Sequence, residues 1–126
     1  MPLVKIFLRK GKTPEYVRSV ADAVHEALVA QANVPADDRF HIIQELDEDT
    51  LIAHPSYGGV NRSKDMVIIE ITLNAGRTVE IKKNLYADIA RRLQDAADVR
   101  ADDVMISLIE VTKENWSFGG GRATYA

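Results

Sequence analysis

At 126 residues, with 46% hydrophobic residues and no proline-, serine- or glycine-rich stretch across its middle, the chain reads as one domain spanning residues 1–126. Its 16 basic and 19 acidic residues are interspersed, for a net charge of −3, so there is no basic stripe for nucleic acid. Cysteine is absent, which excludes disulfides, thiolate catalysis and most zinc sites and fits a cytoplasmic protein; the chain shows no signal-peptide pattern and no apolar run of the roughly 20 residues that a membrane span needs.

Near the start, Val4, Ile6 and Leu8 alternate with Lys5 and Arg9, the period of a strand covered on one face. Gly11 marks a turn. Thr13 is a natural helix cap, since its hydroxyl accepts from a free amide of the first turn, and Pro14 suits the first helical position, where its missing N–H costs nothing. Val17, Val20, Ala21, Val24 and Leu28 then form an i, i+3, i+4 stripe that Asn33 closes. A second strand is predicted at Phe40–Leu46. A connector over 47–66 carries Pro55 and Gly58-Gly59. The same order follows again: Ile69, Ile71 and Leu73 alternate with Glu70 and Thr72, Gly76 turns, Thr78 caps, and Ile81, Leu85, Ile89 and Leu93 make the stripe. Asp98 closes that helix, a strand is predicted at Val104–Val111, and residues 112–126 form an aromatic, glycine-rich tail.

The recurrence is a gapless repeat. Shifted by 65 residues, Pro2–Leu46 aligns with Val67–Val111 and 12 of the 45 pairs are identical, among them Gly11 with Gly76, Thr13 with Thr78, and Ala36-Asp37-Asp38 with Ala101-Asp102-Asp103. Two βαβ copies, about 2–46 and 67–111, predict an α+β fold: a four-stranded sheet with two helices on one face. The other face, carrying Leu3, Phe7 and Ile68, is left apolar, and a closed symmetric oligomer is the simplest way to cover it.

Features present in both copies belong to the scaffold; features present in one are candidates for function. Pro2 has Val67 as its counterpart, Arg77 has Lys12, and Trp116, Phe118 and Gly119-Gly120-Gly121 have none. Methionine before proline is normally removed, which would make the Pro2 nitrogen a secondary amine able to act as a base near neutral pH when buried or beside a cation. The plainer reading is that Met-Pro is only a common start. Arg77 falls in a strand-to-helix turn, and an antiparallel central strand pair would bring it toward Pro2; the plainer reading is a solvated turn residue like Lys12. Asp38 has a twin in the same context, Asp103, which argues for a role in the turn. His25, His41 and His54 show no metal-ligand spacing.

Pro2-Leu3-Val4-Lys5, Asp37-Asp38-Arg39-Phe40 and Asn115-Trp116-Ser117-Phe118-Gly119-Gly120-Gly121 together resemble the tautomerase superfamily, and within it the malonate semialdehyde decarboxylase group. The resemblance spans nearly the whole chain. It implies the duplicated βαβ fold of 4-oxalocrotonate tautomerase and its relatives, a homotrimer, a free catalytic Pro2 and no cofactor or metal. Pro2 matches the family's general acid/base, Asp38 the aspartate beside it, and Trp116 and Phe118 the aromatic wall of the pocket. The decarboxylases carry an Arg-Pro-Arg pattern after the third strand; here Asn74-Ala75-Gly76-Arg77 is one residue longer and has one arginine fewer. The leading expectation is a keto–enol tautomerase of small 2-oxo acids, with catalytic Pro2, Asp38 and Arg77 and with Trp116 and Phe118 binding substrate. The alternatives are a malonate semialdehyde decarboxylase or hydratase with protonated Pro2, and a non-catalytic binding module on the same fold.

Overall fold

A computed structural model describes residues 1–125. The first copy is β1 (Leu3–Arg9), α1 (Pro14–Ala32) and β2 (Phe40–Leu46); the second is β3 (Val67–Asn74), α2 (Val79–Ala97) and β4 (Val104–Val111). Both helices start and stop where the caps predict. Thr13 Oγ1 accepts from Tyr16 N at 3.1 Å and Thr78 Oγ1 from Ile81 N at 3.2 Å. At the other ends Asn33 and Asp98 take the left-handed conformation, with φ of 57° and 55°, and turn the chain out of the helix.

The sheet order is β2-β1-β3-β4. Strands pair in parallel within each copy and antiparallel between copies, with Leu3 across from Thr72 and Phe7 across from Ile68. That register is symmetric under the 65-residue shift, so the pseudo-twofold axis passes between β1 and β3. Val4, Ile6 and Leu8 from β1 and Val67, Ile69, Ile71 and Leu73 from β3 point to the helices and are buried against Val24, Leu28, Leu85, Ile89 and Leu93. Burying each such side chain contributes about 1.5–3 kcal/mol, so this seam is what holds sheet to helices. The opposite sheet face stays open within the protomer. Leu3, Phe7 and Ile68 are only partly covered there, and Phe40, Ile42, Met105 and Ile109 are exposed in the same layer.

Candidate active site

Antiparallel pairing of β1 with β3 brings six element ends to one end of the sheet. There β1 and β2 begin, β3 and β4 finish, α1 stops and α2 starts. Pro2 is buried immediately before β1. Carrying the register one step past Leu3–Thr72 sets Pro2 across from Leu73, and a second step sets Met1 across from Asn74. The Met1 ammonium lies 3.4 Å from Asp38 Oδ2. With methionine in place the Pro2 nitrogen is an amide; its removal would leave a secondary amine one residue from that contact.

Asp38 and Asp103 share a backbone and differ in use. Each closes a short turn, Asp38 N donating to Pro35 O at 3.0 Å and Asp103 N to Arg100 O at 2.9 Å. The Asp103 carboxylate is buried and spent, accepting from Ser63 N at 2.6 Å and Ser63 Oγ at 2.7 Å. The Asp38 carboxylate is partly open and faces the start of the chain. The turn reading therefore describes the backbone of both residues, while the Asp103 carboxylate anchors the connector at Ser63 and that of Asp38 does not.

Arg77 also parts from its twin. Its Nε and Nη2 donate to Ala32 O at 3.1 and 2.8 Å, and Nη1 donates to Asn74 O at 3.2 Å. Ala32 ends α1, where carbonyls lack helical partners and a cation is favourable. The guanidinium has five N–H groups, so one remains on each terminal nitrogen, and no carboxylate pairs with it among the described residues. It is held in place without a salt bridge of its own, although the Glu110 carboxylate, paired with Lys82 at 2.8 Å, lies near enough to feel its charge. Lys12 instead pairs with Asp65 at 2.9 Å and lies over the Tyr16 ring.

The aromatic tail closes on the same end of the sheet. Trp116 Nε1 donates to Asn74 Oδ1 at 2.8 Å, the Trp116 and Phe118 ring centroids are 6.0 Å apart, and Tyr125 meets Phe118 edge-on at 5.1 Å. Trp116 is half-buried, whereas Phe118 is 45% exposed and so forms the outer part of this wall. The geometry thus gathers Pro2, Asp38, Arg77 and Trp116 at one end of the sheet, with Phe118 attached through Trp116. Sequence reasoning missed Asn74 and Tyr125. Asn74 had a usable signal, because its repeat counterpart is Arg9.

The pseudo-symmetric end, where β1 finishes and β3 begins, opens a cavity of about 450 Å³ lined by Arg9, Lys10, Lys12, Tyr16, Lys64 and Asp65, among others. A cavity alone would favour it, but its charges are largely committed to the protein. Arg9 donates to the carbonyls of Glu48, Leu51 and Lys64, Lys10 pairs with Asp47 at 2.9 Å, and Lys12 pairs with Asp65. Val67 stands where Pro2 stands in the other copy and lies inside the chain, so no amine is available there. Among the described residues no cluster of three or more His, Asp or Glu is arranged to hold a metal ion.

Comparison with known proteins gives one consistent result. Two descriptions of tautomerase enzymes match, one over residues 38–119 and the other over residues 2–61. The chain is 37% identical over 123 residues to a probable tautomerase of Bacillus subtilis, YusQ, covering 98% of this chain and 97% of the relative. Among solved structures it is similar to FG41 malonate semialdehyde decarboxylase inhibited by 3-bromopropiolate, at 40% identity and a TM-score of 0.91, with 98% of this chain and 93% of that one covered. A second malonate semialdehyde decarboxylase, described with decarboxylase and hydratase activities, matches at 30% identity and a TM-score of 0.91, over 98% of this chain and 95% of that one.

Proposed function

The chain belongs to the tautomerase family, and from that premise we propose that it is a cofactor-independent keto–enol tautomerase of small 2-oxo acids, with Pro2 as the general base and acid once Met1 is removed. In the direction from ketone to enol, the Pro2 lone pair takes a proton from the carbon beside the carbonyl. The C–H electron pair becomes the C=C bond, the carbonyl oxygen collects the charge, and the Pro2 ammonium returns its proton to that oxygen, leaving the amine neutral again. Positioned acid–base catalysis of this kind contributes about 10²- to 10⁴-fold. Arg77, with one N–H left on each terminal nitrogen, binds the substrate carboxylate or the developing enolate, where a fixed donor stabilises charge without having to reorganise. Trp116 and Phe118 cover the site and exclude water.

The observation that carries this reading is Arg77, with no salt bridge among the described residues, at the same end of the sheet as a buried Pro2. Burial and a nearby cation both favour the neutral amine that proton abstraction from carbon requires. A second reading, malonate semialdehyde decarboxylation or hydration, is favoured by the two decarboxylase structures and by Asp38 beside the chain start. It needs the opposite charge state, a protonated Pro2, with Asp38 orienting substrate or activating water. Rates on phenylpyruvate enol and on malonate semialdehyde separate the two. Faster turnover of the enol, lost in Pro2→Ala, is the expected result; faster turnover of the semialdehyde selects the second reading.

A further inference from the structure

Asn74 ends β3, and the extended register puts it across from Met1, next to the strand position of Pro2. It makes two contacts that no other residue combines among those described: its Oδ1 accepts from Trp116 Nε1 at 2.8 Å, and its own carbonyl accepts from Arg77 Nη1 at 3.2 Å. An indole N–H can only donate, so the amide oxygen must be the atom that faces the ring, and the amide orientation is set by chemistry. Trp116 lies in the tail, outside the repeated scaffold; apart from its turn bond to Lys113 O, its polar tether is this one bond. The counterpart position, Arg9, does something unrelated, clamping the carbonyls of Glu48, Leu51 and Lys64. A position that serves loop packing in one copy has become a junction between two site residues in the other.

We propose that Asn74 is a positioning residue: its side-chain amide fixes the Trp116 indole next to the Arg77 that its backbone carbonyl accepts from, so that the aromatic wall keeps one spacing from the cation around the substrate. This rests on the reading of Pro2, Arg77 and Trp116 as the active site and extends it to a residue that touches none of the reacting atoms. Small misplacements of groups around a reacting centre reduce turnover more than binding.

Trp116 is the sole tryptophan, so its fluorescence reports this contact independently of catalysis. Asn74→Leu keeps the side-chain volume and removes the acceptor. We expect its Trp116 emission to shift to the red and to be quenched more readily by acrylamide. Its kcat on phenylpyruvate enol falls about tenfold or more while KM changes less than about threefold. Asn74→Asp keeps an acceptor, so emission and quenching stay as in the parent protein. A carboxylate beside Pro2 favours the ammonium form, so the pH–rate profile of Asn74→Asp moves alkaline. Parent-like emission and quenching in Asn74→Leu would overturn the proposal. So would shifted emission with kcat and KM unchanged while Pro2→Ala is inactive, since Trp116 orientation would then be unused. Full activity of Pro2→Ala would instead overturn the site reading itself, and the catalytic part of the proposal with it.

Discussion

Among single residues, His41 carries the clearest pH-dependent consequence. It sits on β2 facing α1, its ring 6.0 Å from that of His25, and both of its ring nitrogens are buried without a hydrogen-bond partner. Burial, aided by the charge of Arg39 and by His25, lowers its pKa to about 4, with Asp22 opposing. The folded state therefore binds its proton less readily than the unfolded state. Stability is complete above the unfolded value near 6.5 and is lost as pH falls from there toward about 4. The loss is on the order of 2–3 kcal/mol. Urea midpoints measured across that range should fall for the parent protein and fall less for His41→Phe; identical slopes would refute the assignment. In the sequence this histidine was one of three without ligand spacing, and its apolar-face position could be inferred from strand alternation. Its lack of a partner could not, because that depends on what α1 places opposite.

At the level of elements, α1 and α2 were legible because capping and periodicity are local: Thr13, Thr78, Asn33 and Asp98 each act on the adjacent turn. Contacts between elements were not. Asp88 on α2 is buried and accepts from Arg91 Nη2 at 2.6 Å, Arg92 Nε at 2.9 Å and Gln31 of α1 at 3.3 Å. Burial alone would raise its pKa, and these donors outweigh that and hold it below the usual range. Asp88→Ala should lower stability by about 1–3 kcal/mol, because it removes the buried acceptor shared by Arg91, Arg92 and Gln31 and with it a link between the two helices. Asp95→Ala, which breaks only an exposed pair with Arg91, should change it by less than about 0.5 kcal/mol. Urea unfolding distinguishes the two. Arg77 was another long-range surprise: the repeat marked it as different from Lys12, but its bonds to Ala32 at the end of α1 depend on the fold. Arg77→Ala should therefore loosen the end of α1, and it should reduce kcat/KM roughly 10- to 100-fold. Lys12→Ala should leave kcat/KM nearly unchanged. Equal effects of the two on kcat/KM would contradict the pairing of Arg77 with Pro2.

For the whole molecule, the duplication was the most informative feature of the sequence, since a gapless shift of 65 residues implies two like units and a pseudo-twofold axis. It also leaves an apolar layer of Leu3, Phe7, Phe40, Ile42, Ile68, Met105 and Ile109 uncovered within one protomer. We expect a homotrimer to cover it. Light scattering at micromolar concentration should then give three times the 14.0 kDa protomer mass, and a stable monomer would contradict the expectation. Replacing Ile42 and Met105 by lysine should shift the mass toward one protomer, because both are exposed in this layer and charge there resists burial.

Catalysis as proposed requires a free, neutral amine at Pro2. In a free Pro2 amine, burial and Arg77 would favour the neutral form and Asp38 the ammonium. A nitrogen-15 titration of Pro2 in the purified protein reads this directly. We expect a titrating secondary amine that is substantially neutral at about pH 7.5, with a pKa below that of an unperturbed prolyl amine. A nitrogen that does not titrate, as in a retained Met1–Pro2 amide, or a pKa above about 9 would contradict it.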